Sequence, residues 1–230
     1  MQKLNENVVV CLAVSDSYLG DKYVYEEIDF EKGLSRLKNN IKKCGYPFLG
    51  WENKWPEDCP TMHQCPYGFK SYCIEQAWEK GYRYVVWADS SAEISQLFLD
   101  YCFQQIKKDG YFFMGVKRKR YYGTDYTARK LGSTKEQLTK MKIGVVGGLF
   151  GLDRENPTAQ KFFQELKELR KEGFTFRGTD KEPFDLRKSY MTHRHDQTVM
   201  YLLIKKHGMK MNTVYPHIKF DHKFTKGNKK

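Results

Sequence analysis

The sequence predicts an α/β protein with a mostly parallel central sheet and helices on both faces. Short, continuous, β-branched apolar runs such as Asn7–Val14 and Tyr82–Ala88 read as strands buried on both sides. Segments with apolar residues at helical spacing lie between such runs. The first three of these segments stop at Gly45, Gly81 and Gly110, where a left-handed C-cap is often needed. Strand and helix alternating in this way is the signature of βαβ units.

Taken in order, Asn7–Val14 (NVVVCLAV) is a strand followed by Ser15-Asp16-Ser17. Phe30–Cys44 is a helix with Leu34, Leu37 and Ile41 on one face, and Tyr46–Trp51 is a second strand. Glu52–Pro66 has no period and is predicted as an ordered loop. Tyr67–Lys80 is a helix with Phe69, Cys73, Ile74, Ala77 and Trp78 inward, Tyr82–Ala88 the third strand, Ile94–Lys108 a helix and Tyr111–Val116 the fourth strand. Lys117–Lys142 is basic and irregular, with room for one or two short helices, and Ile143–Leu152 is apolar and glycine-rich. Asn156-Pro157 opens a helix with a capping side chain and Pro at its first position. Phe174–Tyr190 is predicted as a polar loop, Thr192–Lys206 as a helix with Thr192 its N-cap, Met209–Tyr215 as a strand, and the remainder as a short strand and tail.

A hydrophobic content of 40%, with 15% aromatic residues, is enough for a sizeable core across 230 residues. No repeat, linker or composition shift divides the chain, so one domain over residues 1–222 with a basic tail at 223–230 is expected. The net charge of +12 points to anionic partners: nucleotides, nucleic acid, phosphosugars or an acidic membrane surface. Part of the excess is local, in Lys117-Arg118-Lys119-Arg120 and at Lys223, Lys226, Lys229 and Lys230, where a solvated face or tail would look the same. None of the six cysteines forms a CxxC, and Cys59, His63, Cys65 and Cys73 match no common zinc spacing. The N-terminus lacks the pattern of a signal peptide and no apolar run reaches a membrane span, so a cytoplasmic, reducing compartment with free thiols is the expectation.

Five constellations carry candidate chemistry. Asp89-Ser90-Ser91 ends the third strand, and ligands of α/β proteins bind at carboxyl ends of strands. An Asp there can hold a metal–phosphate or a ribose, or simply cap the next turn of the chain. His193-Arg194-His195-Asp196-Gln197 opens a helix: Asp196 and Gln197 could bind sugar hydroxyls or take a proton, His195 could do acid–base work or serve as a surface or packing residue, and a carboxylate in a first turn also suits the helix dipole. Gly147-Gly148 implies close approach of a ligand or another backbone, or a bulge. Lys70, in a first helical turn beside unpaired backbone N–H groups, could receive a phosphate, or be an isolated surface lysine. His217, Asp221 and His222 lie late in the chain, where a His could swing over a nucleotide and complete a metal shell. No Walker lysine stands after the glycines, and no GxGxxG or nucleophile elbow is present.

Together these segments resemble a GT-A-type nucleotide-sugar glycosyltransferase over roughly residues 7–222. The resemblance rests on Val8–Ser17, on Pro66-Tyr67-Gly68-Phe69-Lys70 ahead of Val85–Ser91, on Gly147-Gly148-Leu149-Phe150-Gly151, and on His195-Asp196-Gln197-Thr198. It implies a single Rossmann-like domain transferring a sugar from a nucleotide-diphosphate donor to a glycan, lipid-linked or protein acceptor. It further implies Ser15, Asp16, Lys70, Asp89, Ser90, Ser91, Gly147 and Gly148 around the donor, and Asp196, Gln197 and His195 at the reacting end. Asp89 matches the first acid of a DxD motif and Ser91 stands in place of the second. Mn²⁺ or Mg²⁺ would then be held by Asp89 with another ligand such as His222, or the site would work without metal. The charge also suits peripheral contact with an anionic membrane. The alternative, a nucleic-acid-binding module using residues 117–142 with Tyr121, Tyr122 and Tyr126, is disfavoured because no nucleic-acid motif is present.

Overall fold

A computed structural model describes residues 6–13, 30–52, 55–117, 122–190, 192–213 and 218–220. Ser15, Asp16, His217, Asp221, His222 and the 223–230 tail lie outside the described residues.

The chain runs β1 (Asn7–Leu12), α1 (Phe30–Lys43), β2 (Phe48–Trp51), α2 (Phe69–Glu79), β3 (Tyr84–Ala88), β4 (Ala92–Ile94), α3 (Gln96–Asp109), β5 (Tyr111–Lys117). It continues with α4 (Asp125–Lys130), α5 (Lys135–Thr139), β6 (Ile143–Asp153), α6 (Pro157–Glu172), α7 (Phe174–Arg177), α8 (Leu186–Tyr190), α9 (His195–Lys206) and β7 (Ile218–Phe220). The main sheet has the order β2-β1-β3-β6-β5, and β4 pairs with β7 in a separate ribbon. β1 pairs in parallel with β2 and β3, whereas β6 runs antiparallel to both β3 and β5. Four strands therefore share one direction and β6 is reversed: the sheet is mixed but mostly parallel, as the sequence predicts. α1 and α3 cover one face, and α2, α6 and α9 cover the other.

The core follows from the apolar runs. β1 and β3 are buried along nearly their whole length because helices lie over both of their faces. Leu34, Leu37 and Ile41 bury the inner stripe of α1 as their spacing requires. Gly45, Gly81 and Gly110 have φ of 76°, 93° and 87°, so each supplies the left-handed residue that turns the chain out of a helix. Asn156 accepts hydrogen bonds from Thr158 N and Ala159 N, capping α6 as predicted.

Several expectations are corrected. The 174–190 stretch is not a plain loop: α7 forms between left-handed Gly173 and Gly178, and α8 comes after it. α9 begins at His195 behind an Arg194 N-cap that makes no side-chain bond, whereas Thr192 belongs to the turn closing α8, its hydroxyl donating to Ser189 O. In place of a strand over 209–215, one bridge joins Asn212 to Met114 within the described residues. The basic segment, by contrast, carries the two short helices it had room for: Thr124 caps α4, and Thr134 with Gln137 forms a capping box on α5.

Candidate functional site

The strand order fixes where a ligand would enter. The chain passes from β1 outward to β2, then crosses back to place β3 on the other side of β1. In open α/β sheets such a reversal marks the usual ligand crevice, here at the carboxyl ends of β1 and β3. Asp89 is the first residue past β3, and Ala13 is the first past β1.

Backbone bonds hold Asp89 in place: its N–H donates to Gly148 O at 2.9 Å and its carbonyl accepts from Ala92 N at 2.8 Å. Its Oδ1 accepts from the Trp87 indole at 2.8 Å and lies 3.2 Å from Lys70 Nζ. Both of these contacts fall on Oδ1, and the side chain stays 35% exposed. Asp89 is therefore ion-paired while still presenting an oxygen to the crevice.

Lys70 is the hub. Its Nζ donates to Asp196 Oδ2 at 2.8 Å and to Gly147 O at 2.9 Å, besides pairing with Asp89, and its side chain is only 6% exposed. These three acceptors match the three N–H donors of an ammonium. The expectation that Lys70 takes a phosphate directly is thus not what the geometry offers. A lysine in the first turn of α2 opposes the helix dipole. Two facing carboxylates offset that, and the rings of Tyr67 and Trp87 lie 4.9 and 5.6 Å from the ammonium. Burial pulls against the Lys70 charge, but Asp196 and Asp89 outweigh it and hold the group above its ordinary pKa. Asp196 is pushed above the usual carboxylate range by burial, with Asp89 adding to the shift and Lys70 opposing it. One ammonium serves two carboxylates, so the cluster keeps one excess negative charge when all three groups are ionised.

The predicted glycine pair meets a side chain. A Cβ at Gly147 would lie 2.6 Å from Asp196 Oδ2 and 3.0 Å from Gln197 Cγ. Glycine is required there because Asp196 crosses β6 to reach Lys70. Two non-glycine residues with positive φ flank the same cluster: Tyr67 at 63°, three residues before Lys70, and His195 at 39°, directly before Asp196. Their rings are 6.0 Å apart. Backbone strain of this kind concentrates where a side chain must be aimed.

His195 is fully buried, with Nδ1 2.8 Å from Phe176 O and Nε2 3.3 Å from Ser189 Oγ. Burial lowers its pKa to about 4, so it is neutral at pH 7. Gln197 is half-buried beside Asp196. Ser90 and Ser91 are buried. Arg36 donates to Ser90 O and Ala92 O, and Asn40 exchanges bonds with the Ile94 backbone, so α1 clamps the turn after Asp89. Sequence reasoning missed this clamp and the Trp87 bond. Asn40, one helical turn before Gly45, was the signal available for the first.

For a divalent ion, the donor chemistry permits one protein contact among the described residues, through Asp89 Oδ2. No cluster of three or more His, Cys, Asp or Glu able to hold a metal occurs among those residues. One carboxylate with substrate phosphates completing the shell is an arrangement that Mg²⁺ accepts, so the residues fit an ion that arrives with a diphosphate. All six cysteines are free thiols and buried. Burial pushes Cys59 up to about 12, and the Cys11 thiol, beside Asp89, is raised chiefly by burial as well. Neither is an activated nucleophile.

No protein-family model and no curated protein matches the chain. Solved structures do. One is a glycosyltransferase involved in glycosylation of the major capsid of PBCV-1, at 14% identity and TM-score 0.39, covering 80% of this chain and 73% of that one. Mouse xyloside xylosyltransferase 1 matches at 9% identity and TM-score 0.42, covering 90% and 85%. A 4-diphosphocytidyl-2C-methyl-D-erythritol synthase from Anaerococcus prevotii matches at 7% identity and TM-score 0.38, covering 93% and 87%. Likenesses this distant assign no role to any residue here. No helix among the described residues is long and apolar enough to cross a membrane.

Proposed function

We propose that the chain is a transferase moving a sugar from a nucleoside-diphosphate donor to a glycan, lipid-linked or protein acceptor. The observation that carries this is the partly open carboxylate of Asp89 at the reversal of strand order between β1 and β3. Dinucleotides and mononucleotides bind at such a crevice because strand ends and adjacent turns leave polar groups facing outward. The four-part sequence resemblance to GT-A enzymes supports the same reading.

Asp89 repels a bare diphosphate. It suits the donor either by accepting from ribose hydroxyls or through a divalent ion between carboxylate and phosphate; when bound, Mn²⁺ or Mg²⁺ neutralises charge developing on the leaving diphosphate. Ser15 and Asp16 lie three and four residues beyond the end of β1 in the sequence and are the proposed nucleotide contacts on that side. In this reading Lys70 is not a ligand: it fixes the direction of Asp89 and ties it to Asp196 and the Gly147 carbonyl. Gln197, with Asp196 behind it, is the group proposed to face the sugar.

The test is calorimetric titration with a panel of nucleoside diphosphates and nucleotide-sugars, with and without Mn²⁺. Asp89→Ala should weaken binding at least tenfold while far-UV circular dichroism stays that of the parent. If the variant binds every nucleotide as the parent does, the donor site is not at β3.

A further inference from the structure

A second site lies away from the crevice. A groove of about 830 Å³ runs between α4–α5 and the C-terminal half of α9. Among the described residues, Arg129, Lys130, Lys205 and Lys206 line it, and no acidic residue does. Lys130 and Lys206 are partly neutralised by Glu172 at 3.6 Å and Glu165 at 2.5 Å, which stand outside the groove. Arg129 and Lys205 make no ion pair among the described residues, and both are exposed. Gln137 adds a neutral donor: its Oε1 is taken by Thr134 N and the Ser133 hydroxyl, which leaves the amide nitrogen to donate.

We infer that this groove binds an acidic glycan chain through its carboxylate or phosphate groups. Concavity and chemistry select that ligand over two others that positive charge attracts. A bilayer surface does not enter a concave groove. Single-stranded nucleic acid gains much of its affinity by stacking on aromatic faces, and Tyr201, the ring in the groove, is only 5% exposed. Position adds to the case. Lys205 stands nine residues after Asp196 on the same helix, so about 14 Å of axial rise separates these two residues. A chain of a few sugars spans that length. The charge of the groove comes from its own residues, whether or not a nucleotide binds at the ends of β1 and β3.

The experiment is titration of the full chain with tetragalacturonate, and with neutral maltotetraose, at 0.1 M salt. The acidic tetrasaccharide should bind saturably and the neutral one should not. Arg129→Glu with Lys205→Glu should weaken that binding at least tenfold and leave nucleoside-diphosphate binding at the level of the parent. The same charge change on exposed α1, Lys42→Glu with Lys43→Glu, should leave tetragalacturonate binding within twofold. Parental affinity in the groove variant, equal loss in the α1 variant, or equal binding of maltotetraose overturns the inference. So does tighter binding of anionic vesicles or of an oligonucleotide that the groove variant abolishes, since the groove would then serve another partner.

Discussion

Lys70 shows how far single residues could be read. Lys70, Asp89, Gly147 and Asp196 were each visible as candidates, but the bonds from Lys70 to Gly147 and Asp196 cross 77 and 126 positions of sequence. Periodicity and capping report on neighbours within a few residues, so they give no sign that these four groups meet. What the sequence did carry was an oddity, a lysine at the positive end of a helix, which requires compensation from elsewhere. The compensation makes a definite prediction. Lys70 and Asp196 are both almost fully buried, and removing one partner of such a pair strands the other charge. Lys70→Met should destabilise the protein by about 3–5 kcal/mol in urea unfolding at unchanged m-value. Adding Asp196→Asn to it should recover part of that loss, because the carboxylate that then remains unpaired, Asp89, is 35% exposed and still hydrated. A double variant as unstable as the sum of the singles would show that the pair is not the coupling.

Among elements, those with their own punctuation were legible. α3 ends on left-handed Gly110 and α6 starts on Asn156, and the structure brings these two signals together: a Cβ at Gly110 would lie 2.0 Å from Asn156 Cγ. Asn156→Ala should therefore cost about 0.5–2 kcal/mol of stability from the lost cap, read as a lower urea midpoint with unchanged secondary structure. A shift near zero would mean that water replaces the cap. The elements missed are the shortest. α7 has four residues and β4 three, too few to show a period, although Gly173 and Gly178 were marks of a break on either side. The start of α9 was misplaced for a different reason. Thr192 has the right chemistry for a cap, but tertiary contacts of His195 and Asp196 draw the helix start three residues onward into a left-handed residue that local propensity alone disfavours.

At the scale of the molecule, the alternation of strands and helices gave the class and the faces of the sheet. It did not give the reversal of β6, because an apolar strand reads the same in either direction. Nor did it reveal the histidine seam where α7 packs on α9. His193 and His195 are fully buried there, with ring centroids 5.1 Å apart. Burial and the neighbouring His195 lower His193 to about 3; the Thr175 and Phe176 carbonyls oppose this without reaching either ring nitrogen in good hydrogen-bond geometry. His195 falls to about 4, chiefly by burial. Both folded-state values lie below the unfolded value near 6.5, so the unfolded chain binds more protons as pH drops. These two groups leave stability untouched above about pH 7.5. Below about 6.5 they remove it, with a slope of up to about 2.7 kcal/mol per pH unit, until the pH falls through the folded-state values. Urea midpoints measured from pH 8 to pH 4.5 should fall accordingly, and His193→Phe should flatten the curve. An equally steep fall in that variant would place the acid sensitivity elsewhere.

The reversed strand also governs when this protein can exist. Among the described residues, β5 joins the main sheet through β6, and β3 has β6 as its outer neighbour. On a ribosome that has released residues up to Lys142, β3 offers a bare apolar edge and β5 has nothing to join. Such an edge is a template for wrong pairing between chains. The nascent polypeptide therefore depends on shelter until Asp153 emerges, and a gene product cut short before that point lacks the central rib of its own sheet.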